Sequence, residues 1–323
     1  MQVERFTEIK LAYNINSPFK SYNYLAFIGG ALSSDKKETY LGEYMSNHIL
    51  LLSNKLFDIN CDDIVDFRNK KVFYHNCLNK NIKDKIEIKS EILKKIYNGY
   101  YVSATVDEFY IPNRSAYKRE RAYHDILIYG FNLEKNVFYT CGYDITEKFT
   151  SMDYDIDLII SSIEICLQER HTKPHFHFFK PNYRKSHFDL EKVKDSFTKY
   201  ICCQPIKNRV YDGYYGLSAY DNLINIIKMS DINNKTLRWA TFSMLYEHKK
   251  LMLQRFEYMR NIGIFLNDSI LEEYKEVVKI ARIIEMMYVK YTLTGEGIKK
   301  IEDKIKVIRH LENEIFTELI KII

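Results

Sequence analysis

Residues 99–144 constrain the fold of this chain more than any other stretch, because their apolar runs are short, β-branched or aromatic, and separated by turn chemistry. They read GYYVSATVDEFYIPNRSAYKRERAYHDILIYGFNLEKNVFYTCGYD. The run over 100–106 has period-two features and ends in the acidic pair Asp107-Glu108. Pro112 stops it, and a basic polar loop follows over 113–121. His124 then opens a second run over 126–131, residues 132–136 are turn-like, and 137–141 is a third run. Three strands are expected, the last two forming a hairpin with His124 at its mouth.

The flanks of this block are mixed. Residues 3–14 alternate weakly and read as an edge strand. Residues 22–32 are apolar and contain Gly29-Gly30, which permits close packing, so a short buried helix is expected from about Ser21. A helix is expected over 40–57, short strands such as 71–74 within 61–80, and a helix over 82–97 with Gly99 as its stop. After the block, 156–167 reads as an apolar helix and 175–179 (HFHFF) as a strand bounded by Pro174 and Pro181.

From 188 onward the pattern is helical throughout. Helices are expected over 188–200, 217–229 and 236–262, the last holding Trp239. Ser269 and Glu272 read as a capping box for the next helix, which Gly295 and Gly297 break. The final helix places Ile298, Ile301, Ile305, Ile308, Leu311, Ile315, Leu319 and Ile322 three and four apart, a single apolar stripe. Long helices with short connections pack as antiparallel bundles. The chain is therefore expected to be α+β, with a small antiparallel sheet domain at 1–182 and an all-α helical bundle at 183–323, divided at the proline-flanked polar run after the HFHFF strand.

Composition narrows the function classes. At 323 residues and 46% hydrophobic content, the chain has enough apolar material for a sizeable core. The net charge of +5 is spread among helical Lys, Glu and Asp, so a mildly basic solvated surface is expected and no nucleic-acid partner. No apolar run approaches the length of a membrane span, and the charged MQVERFTEIK start has no apolar signal core. The six cysteines form no CxxC pair, so a cytoplasmic protein with reduced thiols is expected. His175 and His177 have a chelating spacing, but no third ligand is evident, and neither a metal nor another cofactor is expected. The run Glu247-His248-Lys249-Lys250 reads as a charged helix face. Phosphate-binding glycine loops, nucleophile elbows and zinc-protease helix motifs are all missing from the sequence.

The chemistry-bearing residues gather around the hairpin. A histidine at a strand mouth, backed by an apolar hairpin, is rigidly held and suited to general-base work; it is equally a common structural residue. Asp107-Glu108 end the preceding strand, where a carboxylate can approach His124. Tyr110, Asn113, Arg114 and Tyr117 lie on the intervening loop as candidate substrate contacts.

Asp107, Phe109-Tyr110, Pro112, His124 and Tyr129-Gly130 together resemble the pattern of the butirosin-biosynthesis-protein-H amino-terminal domain family: a strand ending in Asp, an aromatic pair and Pro, then a His-led strand with an aliphatic-Tyr-Gly turn. YYGLSAY (214–220) and YEHKKLM (246–252) resemble the helical part of relatives in bacterial natural-product clusters. The resemblance implies a papain-like fold and acyl transfer from an acyl or peptidyl carrier-protein thioester to an amine or peptide. In that family a cysteine early in the first buried helix is the nucleophile, a histidine deprotonates it, and an acid after the hairpin orients the histidine.

This sequence departs from that pattern twice. Tyr24 stands where the nucleophilic cysteine is expected, and Cys61, the first cysteine, comes well after that helix. Cys141 stands where the orienting acid is expected, with Asp144 nearby. Tyr is a poor replacement nucleophile, its pKa being about 10. The readings left open are an acyltransferase in which His124 activates the amine directly, and an inactive papain-like module that binds a carrier protein, peptide or partner enzyme. Ser21 as nucleophile is a further alternative, and a tyrosine-rich self-association surface over 211–220, giving a homodimer, is the structural one.

Overall fold

The structure is a computed structural model that describes residues 6–17, 19–33, 73–78, 84–169, 176–182, 188–204, 214–229, 239–264 and 268–323. The expected helix over 40–57, Cys61 and His175 lie outside the described residues. The described residues fall into two compact units, one carrying the sheet (up to 33 and 73–182) and one purely helical (188–323).

The sheet unit is α+β. Its strands are β1 (Glu8–Lys10), β2 (Phe73–Cys77), β3 (Tyr101–Asp107), β4 (Tyr123–Asn132), β5 (Val137–Tyr143), β6 (Phe149–Asp155) and β7 (Phe176–Pro181). They form one antiparallel sheet in the order β2-β7-β3-β4-β5-β6, with β1 paired to the end of β4. The three expected central strands are all present, and β4–β5 is the expected hairpin. Strand β6 was not anticipated, because FTSMDYD alternates polar and apolar side chains too irregularly to stand out.

Period-two alternation divides the sheet into two faces. Val102, Ala104 and Val106 of β3 and Ile126 and Ile128 of β4 form a core with helices α2 (Lys85–Tyr97) and α3 (Ile156–Gln168). Helix α2 contributes Ile88, Ile92 and Ile96, one residue per turn, and Asp84 caps it by accepting from Glu87 N. The opposite face is covered by helix α1 (Asn23–Leu32), buried from Leu25 to Leu32. Tyr13 lies between this helix and the sheet: its hydroxyl donates to Ala26 O at 2.8 Å, and its ring stacks on Tyr129. Helix α1 starts at Asn23, two residues later than expected.

Tyr129-Gly130, expected as a turn, instead lies within β4 at a register shift between Ile128 and Gly130. A Cβ at Gly130 would sit 2.5 Å from Ile9 O, so glycine here lets β1 close on the strand.

The described helices of the helical unit are α4 (Leu190–Ile201), α5 (Ser218–Met229), α6 (Trp239–Asn261), α7 (Asp268–Thr294) and α8 (Ile298–Ile322). Helix α7 begins at Asp268, so Ser269 lies in its first turn, where its hydroxyl donates to Glu273 at 3.2 Å. The buried face of α8 runs Ile301, Ile305, Ile308, Glu312, Ile315, Leu319. Both Leu311 and Glu312 fit the three-and-four spacing between Ile308 and Ile315, but Glu312 is the buried one and Leu311 is only half-buried.

Glu312 is fully buried and joins the other four described helices of this unit. Its Oε2 accepts from Tyr200 (α4, 2.9 Å) and Tyr220 (α5, 2.5 Å), and its Oε1 from Tyr274 (α7, 2.6 Å) and Lys249 (α6, 2.8 Å). Four donors fill the carboxylate's acceptor capacity. Burial pushes the Lys249 ammonium below its ordinary range, against the pull of Glu312, and holds the three phenols well above theirs. His248 completes the cluster, its Nδ1 3.0 Å from Lys249 Nζ. Glu247, His248 and Lys249 are thus buried, correcting the expectation of a charged helix face. Of the described tyrosines in the tyrosine-rich stretch, Tyr215 and Tyr220 are also buried and Tyr214 is exposed.

Among the described residues, no helix is long and apolar enough to cross a membrane.

Glu312→Ala strands the Lys249 ammonium in the core and is expected to cost about 3–5 kcal/mol. Lys249→Met is expected to cost less, because three hydroxyl donors remain on the carboxylate. Urea midpoints of the two variants measure the difference.

Candidate functional site

The register of β3 and β4 pairs Val106 with His124. Immediately after β3, a single 3-10 turn, Glu108–Tyr110, is tied down by the Glu108 N–H donating to Ala122 O at 2.8 Å. This turn brings the Glu108 carboxylate, not that of Asp107, to the histidine: His124 Nδ1 lies 3.1 Å from Glu108 Oε2. The Glu108 side chain is 4% exposed and that of His124 is 58% exposed. A buried carboxylate thus holds one nitrogen of a ring that reaches solvent, and Nε2 is the nitrogen left for a proton or a ligand. The hydrogen bond that His124 donates to Glu108 raises the His124 pKa; burial and the Arg114 charge oppose it.

Arg114 lies behind the pair. Its guanidinium is 1% exposed, with Nη1 3.5 Å from Glu108 Oε1 and donating to Tyr143 O. Gly142 makes room for it, since a Cβ there would come 2.6 Å from Nη2. Nε and Nη2 of Arg114 have no hydrogen-bond partner among the described residues. The cluster is therefore an imidazole, a carboxylate and a buried guanidinium in series, with only the imidazole accessible.

The other expected site residues take different roles. Asp107 is fully buried: Oδ1 accepts from Phe109 N at 3.1 Å and Ala122 N at 3.4 Å, and Oδ2 from Arg121. It shapes the loop rather than orienting His124, because its side chain alternates away from Val106 and Glu108. Arg121 continues to Glu169, which also accepts from the Tyr123 hydroxyl, and its guanidinium lies 5.7 Å from the centre of the Tyr110 ring. Asn113 holds a left-handed turn with φ of 59°. Asp144 closes its own turn by accepting from Thr146 N, Thr146 Oγ1 and Lys148 N; the Thr146 hydroxyl is the main cause of its lowered pKa.

Cys141 does not orient His124. It pairs with Leu127, which places it on the α1 face of the sheet, while His124 is on the α2–α3 face. Burial pushes its thiol far up, as it pushes that of Cys166 to about 12. Tyr24, in the first turn of α1, packs on Tyr22 with ring centres 5.9 Å apart. The hydrogen bond of His124 reaches Glu108 and not Tyr24. Asn23 ties the helix start to the same strand, donating to Asp125 O at 3.1 Å. Ser21, the alternative nucleophile, is buried.

One cluster escaped the sequence reading. The sequence spacing pairs His177 with His175, but β2 brings two other donors to it: Cys77 stands directly opposite His177, and His75 is two residues along the same face. The signal was the HNC triplet 75–77, whose outer residues share a strand face.

No family model matches this chain, and no curated protein matches it in sequence.

The raised His124 pKa makes the pair's contribution to stability complete below the unfolded value of about 6.5 and lost as pH rises through the folded value. Histidine NMR titration of the full chain, assigned with His124→Asn, is expected to place His124 above 6.5. Glu108→Gln is expected to bring it down toward the ordinary range.

Proposed function

We propose that the sheet unit is a papain-like module of the acyl-transfer type, in which His124 is the general base for direct attack of an amine on a carrier-protein thioester. The observation that carries this reading is the buried Glu108 carboxylate on His124 Nδ1, 3.1 Å away, which fixes the tautomer and leaves Nε2 basic and accessible. The resemblance of the Asp107–Gly130 block to the butirosin-type family supports the reaction class.

The amine lone pair attacks the thioester carbonyl carbon, and His124 Nε2 takes the departing N–H proton. The tetrahedral intermediate collapses with cleavage of the C–S bond. The carrier thiolate recovers a proton from the imidazolium, and an amide is the product. Glu108 is a positioning residue that also stabilises the imidazolium, and Arg114 holds Glu108. No covalent enzyme intermediate is needed, in keeping with a tyrosine at position 24.

A second reading, a binding module without turnover, is favoured by Tyr24 at the family's nucleophile position and by the burial of Cys141 and Cys166. In that case the same surface docks a carrier protein, peptide or partner enzyme.

With an acylated carrier protein and a panel of amines, the full chain is expected to release carrier thiol at a rate that rises with pH through the His124 pKa. His124→Ala is expected to lower the rate about 10²–10⁴-fold. Glu108→Gln is expected to shift the rising limb to lower pH. Full turnover in His124→Ala refutes the base assignment; carrier binding without turnover in the unaltered chain selects the binding module.

A further inference from the structure

We propose that His75, Cys77 and His177 form a zinc site, with one coordination position open to solvent. The cluster is made by strand register. Cys77 and His177 are directly paired across β2 and β7, and His75 lies two residues from Cys77 on the same sheet face. One ligand atom from each residue converges: His75 Nε2 to His177 Nδ1 is 3.1 Å, Cys77 Sγ to His177 Nδ1 is 3.5 Å, and Cys77 Sγ to His75 Nε2 is 3.8 Å.

These spacings fit a tetrahedral ion. Zinc–nitrogen bonds of about 2.0–2.1 Å and a zinc–sulfur bond of about 2.3 Å imply tetrahedral edges of about 3.3 Å between nitrogens and about 3.6 Å between nitrogen and sulfur. The three observed edges differ from those values by a few tenths of an ångström, so no backbone movement is required. The two imidazole rings are tilted by 41°, with their facing nitrogens turned toward each other. Two imidazoles and a thiolate suit a borderline-soft ion such as zinc and do not suit magnesium or calcium.

Binding has a defined proton balance. The Cys77 thiol gives up its proton to solvent; whichever of His75 Nε2 and His177 Nδ1 carries the proton of their hydrogen bond loses it to solvent while the other nitrogen of that ring is protonated, so both imidazoles coordinate as neutral ligands and one proton is released in all. Among the described residues no fourth ligand joins the three, and Cys77 is exposed and the histidines half-buried, so water has access to the remaining coordination position. Three protein ligands and a water are the arrangement of Lewis-acid zinc sites rather than of closed structural ones. The ion also ties β2 to β7 between residues 100 apart in sequence. The site lies on the α1 face of the sheet, opposite to His124, and is independent of the proposed acyl transfer.

The test uses the full chain, stripped with chelator and titrated with Zn²⁺ and with Co²⁺. One equivalent of metal is expected, with a thiolate-to-cobalt charge-transfer band, tetrahedral visible bands and a higher Tm. Cys77→Ser is expected to abolish the charge-transfer band and weaken binding by more than about 100-fold, beyond the range of changes to outer-shell partners. His177→Gln is expected to weaken it similarly, while Cys202→Ser and His124→Ala retain it. In the unaltered chain, zinc is expected to protect Cys77 from alkylation, and chelator to restore it, as read by peptide mass spectrometry. Failure to bind stoichiometric metal, persistence of the band in Cys77→Ser, or equal alkylation of Cys77 with and without zinc overturns the site.

Discussion

The antiparallel register of the sheet decides which side chains of the sheet unit meet. A shift of one residue between β3 and β4 would send His124 to the α1 face and Asp125 toward the α2–α3 core. The observed register is secured because Val102, Ala104 and Val106 must be buried together with Ile126 and Ile128. Burying those apolar groups therefore also places His124 beside Glu108. The same alternation, carried through β7 and β2, sets His177 opposite Cys77 on the other face. The two chemically interesting clusters of this unit are consequences of one hydrophobic constraint.

The helical unit is organised by a polar constraint instead. A carboxylate at the middle of an apolar stripe is costly to bury unless all its acceptor positions are filled. Glu312 meets that condition with one donor from each of four helices. An apolar stripe tolerates sliding of one helix along another; four hydrogen bonds converging on two oxygens do not. This network is sealed from solvent, which makes it a device for specifying the packing of the bundle. The His124–Glu108–Arg114 series differs in one respect: its terminal imidazole reaches solvent.

Several features were legible in the residues because they depend on local pattern. The three central strands, the β4–β5 hairpin, the spacing of Ile88, Ile92 and Ile96, and the helical character after 188 all follow from periodicity and turn chemistry. The location of His124 at a strand mouth followed in the same way. The choice between Asp107 and Glu108 did not, since it rests on a 3-10 turn that rotates one carboxylate toward the histidine and the other toward Arg121. Lys249 and His248 were misplaced because charged residues in a row on a helix look solvated unless their partners, distant in sequence, are known.

What the sequence determined by itself was the set of elements and their apolar faces, because periods of two and of 3.6 are written in neighbouring residues. What only the tertiary structure decided was the pairing of polar groups: Glu108 with His124, Glu312 with Lys249 and three tyrosines, Cys77 with His75 and His177. Partners such as residues 77 and 177 are joined by a sheet register that no local pattern encodes, and the donor and acceptor counts that make such pairings stable exist only once the chain is packed.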